Sequence, residues 1–291
     1  MEYSATLIMR IIIAAVLAIL FGNGSVVAFN RIKPRWFEDY DENQPGTGPG
    51  EPRKVIPPKL LEADNSGRQR LPSSPWKYAF TGYFAITGLY LAIRGGSLTY
   101  EISVLCVLFI VLEMAIADQM YRVVPDEFSI MLAISAAAFV EYHENWWEPA
   151  AGAALGLGIS LAVLLLGMLL FKTGSIGGAD IKFFTCMGLI TGRTGIVIIY
   201  VLTTLLFAVH SAVIIAAGKG SIKDRNPMLP SACAAVTIYF LFLFSTGDLI
   251  LIKKDGVENP VEELCKEFCN FPEESIRQII CGDGEVLKFE W

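Results

Sequence analysis

Repeated long apolar runs are the feature that most limits what this chain can fold into. A membrane-crossing helix needs about 20 mostly apolar residues, and the sequence contains several runs near that length. The composition agrees, because 54% of the residues are hydrophobic and only 18% are charged, below the roughly 25% charged content usual for soluble domains. The lipid bilayer is therefore the expected solvent. The predicted fold class is an all-α integral membrane bundle.

We predict eight membrane segments in one polytopic bundle. The fourth and the sixth are short for a full crossing and are compatible with half-spans packed inside protein. The sequence defines the order of the segments better than it defines their ends. In chain order they are 11–29, 78–93, 102–117, 127–140, 150–171, 181–190, 195–217 and 229–252.

The predicted domain organisation has four parts. Residues 1–29 form the first transmembrane helix, 30–77 a polar loop, 78–252 the main bundle, and 253–291 a soluble tail. The first helix has two interpretations, since its end is also compatible with a cleaved signal peptide. An anchor helix is favoured because basic residues follow it immediately and hold that flank in the cytoplasm. Those residues are Arg31, Lys33 and Arg35.

The turns between the segments distribute charge unevenly across the membrane. Three turns fall on the same side as the 30–77 loop, and two of them are basic, as cytoplasmic turns are. We therefore expect a multi-pass protein of the inner or plasma membrane, with the 253–291 tail outside the cytoplasm. The three turns are 117–125, 172–182 and 218–227.

The tail and the overall charge say little about partners. Cys265, Cys269 and Cys281 lie in the tail, an odd number that permits one disulfide and requires none. Pro260 and Pro272 each precede acidic residues, which predicts two short helices. The formal charge of -6 gives no reason to expect a nucleic-acid partner. The function of the tail and the oligomeric state stay open.

Two carboxylates lie at the ends of apolar segments on the predicted cytoplasmic side. Asp118 closes the third segment, and Asp180 opens the sixth. A helical bundle can bring both side chains to one depth, although they are 62 residues apart in sequence. Ionisable residues at such positions are costly and usually functional. Asp118 and Asp180 are therefore the candidate catalytic residues.

Two neighbouring carboxyl groups can hydrolyse a peptide bond. One must be ionised to take a proton from water, and the other must be protonated to polarise the carbonyl group. Because like charges a few ångströms apart do not both ionise easily, such a pair shares one proton. No metal ion, cofactor or nucleophilic serine is then required.

Several residues are candidates for supporting this pair or binding substrate. Gly177 and Gly178, with Gly174, permit tight or left-handed backbone before Asp180. Lys182 either steadies the pair or reflects the basic cytoplasmic side. Asp126, after Pro125, either caps the fourth helix or supports Asp118 and the substrate. Glu113 lies inside the third segment, where a hydrogen bond within the bundle competes with a direct catalytic function.

The motifs around both aspartates resemble those of a known family. The strings GGADIK and AIADQMYRVVPD are similar to the two aspartyl motifs of the type IV prepilin peptidases, the G-x-G-D membrane proteases. FGNGSVVAFNRIKPR and NPMLPSACAAVTIYF resemble other parts of that family, so the likeness runs roughly from residue 21 to 240. It implies cleavage of basic leader peptides from prepilins or pseudopilins at the cytoplasmic face. Asp126 and Glu127 then give the site a negatively charged mouth.

Two departures limit what this resemblance implies. Ala179 stands where the motif has its second glycine, which narrows the backbone freedom only slightly. The 30–77 loop has no cysteine, whereas the bifunctional members carry paired CxxC motifs there and also N-methylate the new amino terminus. A zinc-bound loop is excluded because its ligands are missing. N-methyltransferase activity is therefore doubtful.

Three other functions stay open at this point. A presenilin-like or signal-peptide-peptidase-like protease also uses a G-x-G-D aspartate, but Pro125-Asp126 fits the prepilin enzymes better. A proton-coupled transporter would use membrane carboxylates as ion relays and should show matched broken helices in two halves. An inactive scaffold for pilus assembly would tolerate the loss of both aspartates.

Overall fold

Helices dominate the part of the chain that the computed structural model describes. The described residues are 2–32, 62–63, 69–94, 97–143, 145–171, 177–217 and 226–244. They lie within one compact unit, residues 1–244. The predicted tail, with its two short helices and three cysteines, and most of the predicted 30–77 loop lie outside the described residues.

Each predicted segment overlaps a described helix. The eighth segment is described only as far as Phe244. A 3-10 helix (Ala136–Tyr142) extends α4, and a π-helix (Tyr239–Leu243) extends α7. Two short strands, β1 (Glu62–Ala63) and β2 (Gln69–Arg70), pair antiparallel before α2. The α-helices are α1 (Glu2–Arg31), α2 (Ser73–Arg94), α3 (Leu98–Tyr121), α4 (Asp126–Ser135), α5 (Glu148–Phe171), α6 (Gly178–Ala216) and α7 (Leu229–Ile238).

Four of the described helices are long and apolar enough to cross a membrane. They are Thr6–Arg31 within α1, the whole of α3, Glu148–Leu169 within α5, and α6. Leu229–Leu243 is a shorter apolar helix. The prediction of an all-α, membrane-type bundle is confirmed to this extent. Eight crossings and a cytoplasmic loop are not confirmed, and they stay predictions.

Helix α3 lies at the centre of the bundle. In its most apolar stretch 78% of the residues are buried, against 28% for α1, 22% for α5 and 11% for α6. Leu105, Leu108 and Met114 of α3 are at most 1% exposed. The outer helices present large aliphatic side chains that other described residues leave uncovered, as a lipid-facing surface does. Asp118 therefore lies in the last turn of the most buried of these helices.

Glycines bring α5 and α6 into close contact. A Cβ atom added to Gly152 would overlap the carbonyl oxygen of Gly188, and one added to Gly156 would overlap the carbonyl oxygen of Phe184. These glycines form a small-residue contact face, because only glycine lets the two backbones approach so closely. The contact fixes the first part of α6, which begins near Asp180.

Helix α6 reverses direction at Gly192. This residue has φ 70 and ψ -172, a conformation that is almost exclusive to glycine. The Phe184 and Tyr200 rings lie 4.5 Å apart between centroids, whereas sixteen residues of straight helix would separate them by about 24 Å. The first arm, 178–191, therefore lies against the second, 193–216, and the predicted turn between segments six and seven is present.

A side chain of α1 holds the chain where it enters α2. Asn30 donates from Nδ2 to the Leu71 carbonyl oxygen at 2.9 Å and accepts from the Leu71 amide at 3.0 Å. This pair of bonds imitates one rung of a β-ladder. The Phe29 ring beside it stacks on Tyr121 of α3, with 6.1 Å between the centroids. The end of α1 is thus fixed next to the end of α3.

Candidate active site

Asp118 lies in the last turn of α3 and is half-buried. The helix ends at Arg122, which has the left-handed conformation and donates its amide to the Asp118 carbonyl oxygen at 3.1 Å. The side-chain oxygen Oδ2 accepts a hydrogen bond from the Leu229 amide, also at 3.1 Å. Leu229 begins α7, so the carboxyl group meets the positive end of a helix, which favours negative charge there.

Asp180 lies in the first turn of α6 and is also half-buried. Its Oδ2 accepts a hydrogen bond from the Gly177 amide at 3.2 Å, and its own amide donates to the Gly177 carbonyl oxygen at 3.1 Å. The carboxyl group therefore caps its own helix start, where backbone amides lack partners within the helix.

The two aspartates lie within electrostatic range of each other. Asp180 lies near enough to Asp118 for the charge of one carboxyl group to act on the other. Each is held by a backbone amide at a helix start, Asp118 by Leu229 and Asp180 by Gly177. Two coupled carboxyl groups can share a proton, with one acting as the base and the other as the acid. Among the described residues, no cluster of three or more His, Cys, Asp or Glu side chains could hold a metal ion.

Lys182 pairs with Asp126. Its Nζ lies 2.6 Å from Asp126 Oδ1, and both side chains are about half exposed. Pro125 occupies the N-cap position of α4, and no side chain caps this helix with a hydrogen bond. The predicted capping function of Asp126 is therefore wrong, because Asp126 lies inside the first turn and its carboxylate turns to Lys182. The ion pair joins the starts of α4 and α6.

Glu113 is buried inside the bundle with 1% of its surface exposed. Neither carboxyl oxygen has a hydrogen-bond partner of normal geometry among the described residues. The hydroxyl group of Ser25 on α1 lies beside it, but within the described part of the chain the predicted hydrogen bond is not formed at normal geometry. Glu113 lies five residues from Asp118 on α3, so their side chains leave the helix about 140° apart.

The glycines before Asp180 have ordinary backbone angles, and Gly177 leaves room for the Asp180 carboxyl group beside it. Gly177 is extended, with φ -77 and ψ 153, and Gly192 is the described glycine that has a positive φ. Of the two predicted alternatives, tight or left-handed backbone, the left-handed one is wrong for Gly177 and Gly178, while Gly174 lies outside the described residues. A Cβ atom on Gly177 would lie 3.3 Å from Asp180 Oδ2, whereas one on Gly178 would meet nothing within 4 Å.

Comparison with known proteins shows which family this chain resembles. A family model described as the type IV leader peptidase family matches residues 102–217. The resemblance to that family is confirmed. A prepilin leader peptidase/N-methyltransferase of Bacillus subtilis (strain 168) is 24% identical over 139 residues, which are 47% of this chain and 52% of that protein. The chain thus spans about half the length of this curated relative. No solved structure matches the chain.

The leader peptidase match contains most of the candidate site. Asp118, Pro125, Asp126, Asp180 and Lys182 all fall within residues 102–217. The start of α7, which holds Asp118 through a backbone amide, and the whole of α1 fall outside the match. The segment that matches the type IV leader peptidase family therefore carries both carboxyl groups, and a neighbouring part of the chain supplies a hydrogen-bond donor.

Two further residues at this end of the bundle were not predicted from the sequence. The Leu229 amide binds Asp118, and Pro230 next to it is a helix-start signal that predicts free amides at this point. Tyr200 lies near enough to Asp180 to be affected by its charge. Its position depends on the reversal of α6 at Gly192, and its own sequence surroundings give no signal of a site.

Proposed function

We propose that this chain is a membrane aspartyl endopeptidase that removes basic leader peptides from type IV prepilins or pilin-like proteins. Asp118 and Asp180 carry out the reaction. The observation that carries the proposal is the meeting of two half-buried carboxyl groups within reach of each other's charge. Both lie inside the segment that matches the type IV leader peptidase family.

The reaction needs one proton shared between the two carboxyl groups. The ionised carboxylate takes a proton from water, and the oxygen of that water attacks the carbonyl carbon of the scissile peptide bond. The protonated partner donates its proton toward the carbonyl oxygen as negative charge develops there. The tetrahedral intermediate then collapses and the C–N bond breaks. The leaving nitrogen receives a proton from the carboxyl group that took one from water, and one hydroxyl group of the intermediate returns its proton to the partner carboxylate.

Backbone amides at helix starts hold both carboxyl groups in position. The Leu229 amide holds one oxygen of Asp118, and the Gly177 amide holds one oxygen of Asp180. Because these donors belong to helix starts, they keep the carboxyl groups in position without a flexible side chain.

The proposed substrate combines a basic leader with an apolar helix that lies in the bilayer. Asp126 attracts the basic leader once Lys182 is displaced, since the two are paired at the exposed start of α4. The active site faces the cytoplasm of a cell with an inner or plasma membrane, and the tail lies on the other side. N-methylation stands outside this proposal, because residues 30–77 lack the cysteines of the bifunctional enzymes.

The position of the cut tests this function against its rivals. The full chain is co-expressed in bacterial membranes with a synthetic prepilin, and the new amino terminus is read by mass spectrometry. A cut at the junction of leader and apolar helix supports the proposal. A cut within the apolar helix supports a presenilin-like protease instead. An uncut prepilin, together with proton flux that depends on Asp118 and Asp180, supports a proton-coupled transporter.

A further inference from the structure

The reversal of α6 brings Tyr200 next to the candidate site. Phe184 follows Asp180 by one helical turn, so the two residues lie on the same side of the first arm. The Tyr200 ring on the second arm packs against the Phe184 ring, with centroids 4.5 Å apart and an angle of 45° between the planes. Tyr200 is thereby held at the level of the first turns of α6, where the charge of Asp180 acts on it.

The hydroxyl group of Tyr200 is available to a ligand. It makes no hydrogen bond with the described residues, although the side chain is half-buried. Other tyrosines of the described bundle do find partners: the Tyr83 hydroxyl lies 2.7 Å from Thr237 Oγ1, and the Tyr142 hydroxyl lies 2.7 Å from Ser97 Oγ. A partly buried phenol usually has such a partner. The Tyr200 hydroxyl group therefore has a free hydrogen bond that it can donate to a bound group.

The chemistry of the phenol identifies that group. A phenol donates a single hydrogen bond. When the carboxyl pair activates water to attack a peptide bond, the acceptor that gains charge is the scissile carbonyl oxygen. We propose that Tyr200 is a further catalytic residue, whose hydroxyl group donates a hydrogen bond to that oxygen as the tetrahedral intermediate forms. This inference rests on the proposed peptidase function.

The ring and the hydroxyl group of Tyr200 have separate functions. Phe184 is fully buried and fixes the position of the tyrosine ring through the aromatic contact. The hydroxyl group is then presented to the substrate without a further loss of side-chain freedom. Tyr200→Phe removes the hydroxyl group and keeps the ring contact, so this variant isolates the proposed hydrogen bond.

A kinetic comparison tests the proposal with the full chain in detergent and a synthetic prepilin as substrate. Tyr200→Phe is expected to lower kcat by about 10- to 100-fold, as the loss of one donor to a developing oxyanion does, with KM within about twofold. The matched control is Tyr90→Phe on α2. Tyr90 is another half-buried tyrosine in an aromatic pair, with 5.3 Å between its ring centroid and that of Phe242. The Tyr90→Phe variant should cleave at the wild-type rate.

A binding measurement separates catalysis from a structural effect. A prepilin peptide with a statine-type hydroxyl at the scissile position imitates the tetrahedral intermediate, and the unmodified peptide imitates the ground state. Tyr200→Phe should weaken the binding of the statine peptide about tenfold or more, and the binding of the unmodified peptide less than twofold. Equal weakening of both peptides, or a melting temperature well below that of wild type, would overturn the assignment.

The two failures are distinguishable. If wild type cleaves, the aspartate variants do not, and Tyr200→Phe cleaves like Tyr90→Phe, then the Tyr200 proposal is wrong and the peptidase function stands. If wild type cleaves no leader, both proposals fall together.

Discussion

Lys182 Nζ lies 2.6 Å from Asp126 Oδ1, and this contact joins the starts of α4 and α6 across 56 residues of sequence. The side chains are 51% and 56% exposed, so the pair contributes at most about 1 kcal/mol to stability. Such a weak contact is readily replaced by a competing cation. Asp126 is therefore suited to exchange Lys182 for the basic leader of a substrate, and the ion pair does little to hold the bundle together.

Neutralising Asp126 should weaken the binding of basic leaders. Asp126→Asn is expected to raise KM about tenfold for a leader that carries Lys or Arg, and to leave a leader with glutamine in their place unaffected. Stability should change by less than about 1 kcal/mol. Glu141→Gln, at an exposed acid of the 3-10 helix, is the control. Equal losses with both leaders would contradict a function in leader binding.

Methyl groups at the two adjacent glycines should have different effects. A methyl on Gly177 would press on Asp180 Oδ2 at 3.3 Å, whereas Gly178 has open space. We expect Gly177→Ala to lower kcat about tenfold, because small displacements of a catalytic group are costly. Gly178→Ala should remain within about twofold of wild type. Steady-state kinetics of both variants check this, and the opposite order of effects would refute it.

Glu113 should be dispensable for cleavage despite its burial. Glu113→Gln keeps the shape of the side chain and its contact with Ser25, so cleavage should stay within about twofold and stability within about 1 kcal/mol. Asp118→Asn is the matched change of carboxyl to amide on the same helix, and it should abolish cleavage. A large loss of cleavage rate in Glu113→Gln, with an unchanged melting temperature, would show that Glu113 takes part in catalysis.

The reversal of α6 should depend on Gly192. Alanine there would adopt an unfavourable backbone conformation, and its Cβ would lie 3.2 Å from the His143 ring. We expect Gly192→Ala to destabilise the bundle by about 1–3 kcal/mol. Gly158→Ala on α5 is the control, since nothing lies within 4 Å of the added methyl. Thermal unfolding in detergent measures both, and similar melting temperatures would show that the strain is absent.

The sequence alone is enough to propose the two carboxyl groups as a pair, because each lies at one end of an apolar run. Charge inside or beside a membrane segment has few explanations, so Asp118 and Asp180 were identifiable without any contact information. The turn at Gly192 was equally visible, since the TGRTG string interrupts a long apolar stretch with glycines and a charge.

The partners of these residues could not be predicted in the same way. The Leu229 amide is a backbone group, and which carboxyl group it meets depends on how α7 packs against α3. The pairing of Lys182 with Asp126 and the approach of Tyr200 to Asp180 likewise depend on the relative positions of helices distant in sequence. Periodicity and composition describe single helices, and they contain no information on these positions.

The most direct test of the account is the cleavage of a synthetic prepilin by wild type, Asp118→Asn and Asp180→Asn in membranes. Asparagine keeps the size and much of the hydrogen bonding of aspartate, but it neither accepts the proton from water nor donates one. The account predicts that wild type shortens the substrate and that each variant loses at least about a thousandfold in rate. Cleavage by either variant at a rate near that of wild type would contradict it.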